Sequence, residues 1–437
     1  MKNRARDFLR STFLVAFLVS LGAEHLFASS AHSIEVHYIK TEGIVNPVMA
    51  EFLTRSIDRA AEEGAEAVVI QLDTPGGLDL SMRDIVKTIL ASDVPVVVYV
   101  APAGSRAASA GVFMTYAAHV AAMAPGTNIG SAHPVAMGGQ EVDETMMAKV
   151  ENDAVAYIKG IAAKRGRNAE WAEEAVRKSV NITAEEALSL GVIDMLAATS
   201  TELMEKLDGR EVDLAAGART LKTKEAVIKE VEMNLRYRIL DAISNPNVAY
   251  ILMMIGLLGL YFELSSPGAI LPGVIGAICL VLAFYAFQTL TINYAGLLLI
   301  GLAVIFFIVE LNVVSYGLLT IAGIVSLILG SLMLFESPLP FMKLSLWVML
   351  PTVVFMTVVI LAAMYLAVTI HRKKPVSGAE GLIGEEGTAL DEINPGASGK
   401  VFVCGEYWEA ESDEAIKEGE RVKVASLKGL LLKVTKV

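Results

Sequence analysis

The sequence predicts three successive parts: an α/β domain, a set of apolar helices long enough to cross a membrane, and a small all-β barrel. Strand-like and helix-like segments alternate over residues 33–230, which is typical of α/β domains. Residues 247–370 consist of long apolar runs, and residues 378–437 of short strand-like segments separated by glycines. Hydrophobic residues make up 54% of the 437 positions and mean hydropathy is +0.54, values too high for a soluble protein.

Residues 1–31 are predicted to be a signal peptide or an uncleaved N-terminal anchor. Four basic residues precede the apolar stretch Ser11–Ala23, and the small residues at 28–31 are suitable for cleavage. Under either interpretation, the α/β domain that follows, residues 32–235, is exported.

The net charge argues against one kind of partner, and the positions of the cysteines exclude one kind of stabilisation. The net charge of −12 argues against nucleic acid as the main partner. The two cysteines, Cys279 and Cys404, both lie outside residues 32–235, so a disulfide framework is excluded for the exported domain.

The α/β domain is predicted from five apolar strands with helical patterns between them. Residues 47–63 place Phe52, Leu53 and Ile57 on one face, as an amphipathic helix does. Strands that alternate with helices favour parallel or mixed pairing through crossover connections. The predicted strands are Ile34–Ile39, Ala67–Leu72, Val94–Val100, His119–Ala124 and Val192–Leu196.

The membrane part, residues 247–370, is predicted to cross the bilayer about five times. No lysine or arginine occurs between Arg238 and Lys343, and the apolar runs approach the ~20 residues needed to span. The first run is short and followed by a tight turn, so four spans plus a re-entrant pair is the alternative. The predicted spans are 248–264, 268–287, 294–312, 315–334 and 346–370.

Flanking charge predicts the orientation of these spans. The basic cluster His371–Lys374 closes the last span and marks the cytoplasmic side. Five spans then place residue 245 outside, in agreement with the targeting segment. We therefore expect a multi-pass protein of the cell membrane whose α/β domain is extracytoplasmic.

A faint internal repeat occurs within the spans. Glu263 is followed after 13 residues by Gly276, and Glu310 after 13 residues by Gly323. We interpret this as a duplicated helical hairpin, although glutamate and glycine are also common at the ends of spans. Both glutamates are interpreted as interfacial caps rather than proton carriers.

Residues 378–437 are predicted to form a five-stranded barrel of the OB type in the cytoplasm. The segment carries twelve acidic and seven basic side chains, a net charge of −5. This charge argues against nucleic acid and favours a protein-contact role.

The chemistry is predicted around Ser109. This serine follows a strand and begins a helix, where backbone N–H groups and the helix dipole favour negative charge. Ala110 and either Gly76 or Gly77, at the end of an upstream strand, are predicted to donate N–H groups to an oxyanion. The alternative is that Ser109 merely caps the helix.

Two residues are candidates for the general base. Lys149 lies on a predicted helix, residues 143–164, close to apolar Met146 and Val150. A lysine that loses solvation there would become neutral more readily, as a base requires. His133, 24 residues after Ser109, has an intrinsically more suitable imidazole.

Several motifs together resemble the NfeD-type membrane-bound serine proteases, relatives of signal-peptide peptidase A and, more distantly, of the Clp protease subunit. The resemblance covers nearly the whole chain, from the α/β domain through the spans into the barrel. The matching segments are Asp73–Gly77, Ala107–Gly111, Met123–Gly130, Ala156–Lys159, Asn245–Tyr250 and Ser266–Gly268.

This resemblance implies a Clp/crotonase-like fold and a Ser109–Lys149 dyad. It also implies stomatin-like membrane proteins as partners and hydrophobic peptide segments as substrates. However, Ser131–Pro134 followed by Gly138 and Gly139 resembles the Clp segment that bears a catalytic histidine, so His133 remains the alternative base.

The function predicted is that of a membrane-bound serine endopeptidase that uses neither cofactor nor metal and forms a homo-oligomer, a dimer or higher. One alternative is a catalytically silent membrane scaffold. Another is a crotonase-type enzyme acting on acyl thioesters, against which export argues because coenzyme A chemistry is cytosolic.

Overall fold

The computed structural model describes residues 34–135, 143–265, 268, 270–288, 290–313, 315–335, 337, 342–372 and 379–437. The predicted targeting segment, residues 1–31, lies outside the described residues, as do Gly138, Gly139 and the end of the basic cluster at residues 373 and 374. The chain divides into two compact units, Met1–Thr352 and Val353–Val437.

The strands described in the α/β domain are β1 (Glu35–Glu42), β2 (Ala67–Asp73), β3 (Val96–Val100), β4 (Arg106–Ala108), β5 (Val120–Met123), β6 (Asn128–Gly130), β7 (Asn181–Thr183), β8 (Met195–Leu196), β9 (Glu211–Leu214), β10 (Gly217–Thr220) and β11 (Val227–Glu230). Six of them form a parallel sheet in the order β11-β1-β2-β3-β5-β8. The five predicted strands are all in this sheet. A second sheet, β4-β6-β7, and the hairpin β9-β10 were not predicted.

The helices of this domain are α1 (Pro47–Glu62), α2 (Asp79–Ala91), α3 (Ala110–Ala117), α4 (Glu144–Arg165), α5 (Ala169–Arg177), α6 (Ala184–Ser189), α7 (Ser200–Leu207) and α8 (Leu235–Ile243). Alternate strand residues face two buried clusters. Ile70 and Val98 pack in the cluster that includes α1 to α5, whereas Val69 and Val97 pack with Leu203 of α7. Both faces of the sheet are thus covered, which explains its uniformly apolar strands.

Two arginines fix the C-terminal end of α3, the helix that begins next to Ser109. Arg167 donates from Nη1 to the carbonyl oxygens of Tyr116 and Ala118, at 2.6 and 2.9 Å, and from Nη2 to Asp194 at 2.6 Å. Arg165 donates to the Ala117 carbonyl at 2.8 Å. Cations at this end complement the helix dipole, so these bonds fix α3 at the end opposite to Ser109.

We expect His119 to make the protein less stable in mild acid. Burial, reinforced by the charges of Arg165 and Arg167, lowers the pKa of His119 from 6.5 to about 3. The unfolded chain therefore binds the proton at a higher pH than the folded chain, and stability falls as the pH drops from 6.5 toward 3. His119→Asn retains an acceptor for the Val96 N–H that bonds His119 Nδ1 at 3.1 Å. It should flatten the fall in melting temperature of the full chain between pH 6.5 and about 5.

Between pH 6.5 and about 5, the loss of stability caused by His119 is separated from the loss caused by carboxylates, which occurs at lower pH. Hydrogen bonds from Lys229 and Arg59 lower the pKa of Glu63 to about 2, so its contribution is lost only below its ordinary value of 4.5. His37, whose pKa burial also lowers, contributes equally to both proteins. Superimposable melting temperatures for wild type and His119→Asn across the window would contradict the prediction.

The apolar helices that follow are α9 (Pro246–Ser265), α10 (Ile270–Phe287), α11 (Tyr294–Asn312), α12 (Leu318–Met333) and α13 (Leu346–Arg372). Three of those described are long and apolar enough to cross a membrane, over Pro246–Ser265, Ile270–Phe287 and Leu346–Leu366. The helices over Tyr294–Glu310 and Leu318–Met333 are apolar but shorter. The count of five spans therefore stays a prediction.

The apolar helices form two hairpins that pack through glycines. In the pair α9 and α10, a Cβ on Gly259 would lie 2.4 Å from the Pro272 carbonyl oxygen. In the pair α11 and α12, a Cβ on Gly330 would lie 2.7 Å from the Gly296 carbonyl oxygen. Small residues at both contacts let the backbones approach closely, which supports the duplicated hairpin.

The two glutamates of the repeat lie at equivalent places. The Glu310 carboxylate accepts hydrogen bonds from Ser315 Oγ at 2.6 Å and from the Gly317 and Thr320 N–H groups at 3.0 Å each. Glu263 lies against the first turn of α10, where a Cβ on Gly273 would be 2.8 Å from its Oε2. Negative charge is favourable at the beginning of a helix, so the bonds of Glu310 agree with the cap interpretation, whereas Glu263 Oε2 is buried and makes no hydrogen bond within the described residues.

The C-terminal elements are α14 (Ala379–Leu382), β12 (Glu386–Ala389), β13 (Ser398–Val403), β14 (Glu406–Glu411), β15 (Arg421–Lys428) and β16 (Leu431–Lys436). The five strands close into a barrel in the order β12-β13-β14-β16-β15. Alternate residues such as Val401, Val403 and Val422 fill its core. The predicted fold class is thereby confirmed in all three parts.

Candidate active site

Ser109 lies at the turn from β4 into α3 with a strained backbone. Its φ is 50° and its ψ −110°, a conformation that costs a non-glycine residue about 1–3 kcal/mol. The Ser109 N–H donates to the Gly130 carbonyl at 3.1 Å, which ties the turn to β6. The Ser109 side chain makes no capping bond to α3. The alternative of a simple helix cap therefore fails, and the hydroxyl is left for another role.

The glycine pair after β2 approaches Ser109 closely. Gly76 has a φ of 121°, and a Cβ on it would lie 2.7 Å from Ser109 Cβ and 3.2 Å from its Oγ. The Gly76 N–H already donates to Thr74 Oγ1 at 3.1 Å, and the Gly76 carbonyl accepts from the Val45 N–H at 2.9 Å. Gly76 therefore shapes the turn rather than offering a free donor.

The free donors beside Ser109 are the N–H groups of Gly77 and Ala110. Neither makes a hydrogen bond within the described residues. Gly77 cannot carry a side chain, because a Cβ there would lie 2.2 Å from the Val45 carbonyl oxygen. Of the two glycines that the sequence offered as the second oxyanion donor, the geometry favours Gly77.

A cavity of about 450 Å³ brings most of the predicted site residues together. Ser109, Ala110, Gly77 and Lys149 all line it, whereas Gly76 and His133 are not among the lining residues described. Much of the remaining wall is apolar and is contributed by Met82, Phe113, Ala132, Pro134, Val135, Val150 and Ala154. The cavity therefore combines a hydroxyl, an amine and two unpaired N–H groups with space for an apolar group.

Lys149 is more exposed than the sequence led us to expect. It lies on α4 in the outer turns of the helix, and its apolar neighbours Met146 and Val150 are themselves 53% and 45% exposed. On α4, buried side chains begin further on, at Ala154 and Val155. The side chains of α4 therefore do not dehydrate the amine, and a ligand that fills the cavity would have to do so.

One ring nitrogen of His133 makes a hydrogen bond to a backbone carbonyl. Its Nδ1 lies 2.9 Å from the Val176 carbonyl oxygen, so this nitrogen carries the proton and donates it to the carbonyl. The ring is half-buried, while its neighbours Ala132, Pro134 and Val135 line the cavity.

Arg83, which the sequence analysis missed, clamps the helices on either side of the cavity. Its Nε donates to Asp79 on α2 at 2.8 Å, and its Nη2 to Asp153 on α4 at 2.5 Å. The guanidinium also stacks 4.4 Å from the Tyr157 ring centroid. Because Asp153 lies one helical turn after Lys149, the clamp fixes the part of α4 that carries the lysine.

We expect Gly76→Ala to impair turnover by displacing the nucleophile. The new methyl group would meet Ser109 Cβ at 2.7 Å, and a shift of about 1 Å at a reacting atom costs on the order of 10²-fold in rate. Gly43→Ala is the matched control, because Gly43 has a similar φ of 112° with nothing within 4 Å. Peptide hydrolysis by both variants is the measurement, and equal kcat values would contradict the prediction.

The described residues contain no group of three or more His, Cys, Asp or Glu side chains placed to hold a metal ion. The arrangement around Ser109 suits acyl transfer by a nucleophilic hydroxyl, with a base and an oxyanion site beside it.

Comparison with known families gives three matches in chain order. Residues 35–231 match the NfeD1b N-terminal domain, and residues 247–366 the NfeD integral membrane domain. Residues 379–436 match the NfeD-like C-terminal, partner-binding domain.

One curated relative aligns with most of the chain, and two solved structures align with about half of it. The membrane-bound protease PH1510 of Pyrococcus horikoshii is 35% identical over 413 residues, 92% of this chain and 93% of that protein. Two solved structures are of 1510-N membrane-bound stomatin-specific protease, from the same organism. A lysine-to-alanine mutant with a substrate peptide is 33% identical and covers 48% of this chain and 97% of that one, with a TM-score of 0.45. A serine-to-alanine mutant is 34% identical and covers 46% and 98%, with a TM-score of 0.42.

Proposed function

The chain belongs to the NfeD family and is a membrane-bound serine protease, and we propose that it cleaves apolar segments of membrane-associated proteins with a Ser109–Lys149 dyad. The observation that carries the proposal is the cavity in which Ser109, Lys149, Gly77 and Ala110 meet. The absence of His133 from the described lining supports the lysine as the base.

The reaction begins when neutral Lys149 accepts the proton of Ser109 Oγ, which attacks the scissile carbonyl carbon. The carbonyl oxygen becomes negative and accepts hydrogen bonds from the Gly77 and Ala110 N–H groups. Lys149 then gives its proton to the departing amine, leaving an acyl ester on Ser109. Water hydrolyses the ester by the same route, and Ser109 regains its proton.

An apolar substrate fits this site for two reasons. The cavity wall holds Met82, Phe113 and Val135, which favour apolar side chains. A bound apolar segment also removes water from the exposed Lys149, which favours the neutral amine that the first step requires. The related protease is described as stomatin-specific, and we extend stomatin-like membrane proteins to this chain as partners and substrates.

The test uses the full chain in nanodiscs with a stomatin-like protein as substrate. We expect one or more cuts within its apolar segment, detected by mass spectrometry, and no cut when polar residues replace that segment. An acyl thioester is the control for the crotonase alternative. Equal cutting of the polar variant, or thioester hydrolysis without peptide cleavage, would overturn the proposal.

The proposed orientation has the α/β domain outside the membrane and the barrel in the cytoplasm. It follows from the basic segment near the N-terminus and from the basic cluster that begins at His371. Protease added to spheroplasts should therefore digest the α/β domain and spare the barrel. Digestion of both would indicate an even number of spans.

A further inference from the structure

Helix α8 lies between the α/β domain and the first apolar helix. It ends at Ile243, and only Ser244 and Asn245 separate it from α9, which begins at Pro246. One face of α8 is fixed to α1. The Tyr237 ring lies 5.6 Å from that of Phe52, and Asp241 accepts a hydrogen bond from Asn46 Nδ2 at 2.7 Å.

The opposite face of α8 is apolar and exposed. Leu235 is 73% exposed and Ile239 48%, and Ala242 is also exposed. Positions i, i+4 and i+7 fall within about 60° of arc on a helix that turns 100° per residue. The three side chains therefore form one continuous stripe.

An arginine flanks this stripe on each side. At 100° per residue, Arg236 lies on one side of Leu235 and Arg238 on the other. Their side chains are 63% and 60% exposed, and each is paired with an acidic side chain, Arg236 with Glu51 at 3.9 Å and Arg238 with Glu232, so a lipid phosphate would compete with these carboxylates. An apolar stripe bordered by long cationic side chains is the pattern of a helix that lies in a membrane surface, where the arginines reach the lipid phosphates.

We infer that α8 is an interfacial helix that lies in the headgroup layer of the bilayer crossed by α9. Its apolar stripe enters the boundary between headgroups and acyl chains, and Arg236 and Arg238 contact phosphate groups. A bilayer is the occupant because the two linking residues span at most about 10 Å, so α8 stays near the surface that α9 enters. The match to the integral membrane domain begins at residue 247, the second residue of α9.

This contact also orients the active site. The Asn46 that bonds to Asp241 is the N-cap of α1, and its neighbour Val45 donates to the Gly76 carbonyl at 2.9 Å and accepts from the Leu78 N–H at 2.8 Å. The glycine turn beside Ser109 is thus connected to α8 through one short segment. A bilayer-bound α8 therefore holds the cavity at a fixed height above the membrane.

The test measures how deeply α8 enters the lipid, using the full chain with Cys279 and Cys404 replaced by serine. Leu235→Cys and Ile239→Cys each receive a fluorescent label, and Leu190→Cys, at a site 44% exposed beyond α6, is the matched control. The protein is placed in nanodiscs of phosphatidylcholine and phosphatidylglycerol that contain lipids spin-labelled near the headgroup. We expect about two-fold or greater quenching at 235 and 239 and almost none at 190.

Other occupants give different results. If a second copy or a partner protein covers the stripe, the fluorescence of the labels at 235 and 239 changes with protein concentration. In that case the spin-labelled lipids do not quench the fluorescence. That result, or equal quenching at 190, would overturn the inference. Arg236→Gln should reduce the quenching in anionic discs but not in discs of phosphatidylcholine alone, and an unchanged response in anionic discs would remove the role of the arginines. The readout does not depend on protease activity, so its failure would leave the Ser109–Lys149 dyad untouched.

Discussion

Lys149→Arg is expected to abolish turnover as completely as Lys149→Ala. A general base contributes typically 10²–10⁴-fold to a rate, and arginine cannot supply it because the guanidinium stays protonated. Both variants should therefore lose at least about 10²-fold in kcat. The protein should still fold, because Lys149 is exposed and makes no hydrogen bond or ion pair with the described residues. The measurement is hydrolysis of an apolar peptide by the full chain.

His133→Asn is the control that decides between the two candidate bases. Its side chain can still donate to the Val176 carbonyl, so the loop that lines the cavity keeps its anchor. We expect a loss of no more than about 10-fold, which is less than a general base contributes. If Lys149→Arg keeps most of the activity and His133→Asn loses it, the histidine is the base and the dyad is wrong.

Ser109→Ala is expected to lower kcat by at least about 10³-fold, because the attacking atom is lost while the oxyanion donors remain. Stability should change little. Alanine meets the same backbone strain at a φ of 50°, and no capping bond is lost because Ser109 makes none. Peptide hydrolysis by the full chain measures the loss in kcat, and its melting temperature measures the change in stability.

Ser179→Ala is the matched control for this variant. Ser179 is exposed and has a φ of 55°, so it carries the same backbone strain outside the described cavity lining. It should keep full activity. Residual turnover in Ser109→Ala comparable with that of Ser179→Ala would remove Ser109 as the nucleophile.

The three-part architecture was accessible from sequence because each part has its own pattern of hydrophobic residues. The strands of the main sheet are apolar runs, and the barrel strands alternate between core and surface. β4, β6 and β7 were missed because strands of three residues carry no measurable period. Their pairing nevertheless fixes Ser109, whose N–H bonds to Gly130 at the end of β6.

The candidate site was predictable in its residue types but not in its finer arrangement. The pair Gly76 and Gly77 is visible in the sequence, but the choice between them depends on a hydrogen bond to Thr74 Oγ1. Arg83 was missed because one of its carboxylate partners, Asp153, is 70 positions away. The exposure of Lys149 was also misjudged, because apolar residues near the beginning of α4 predict burial that the fold does not provide.

The most direct test of the Ser109–Lys149 dyad is the rate at which Ser109 reacts with an apolar peptidyl diphenyl phosphonate. The serine oxygen bonds to phosphorus and phenol leaves, so the reaction requires the nucleophile and its base but no peptide cleavage. The Ser109–Lys149 dyad predicts one adduct, mapped to Ser109 by mass spectrometry. It should form at similar rates in wild type and His133→Asn, and at least about 10²-fold more slowly in Lys149→Arg. An adduct on another residue, or an undiminished rate in Lys149→Arg, would contradict it.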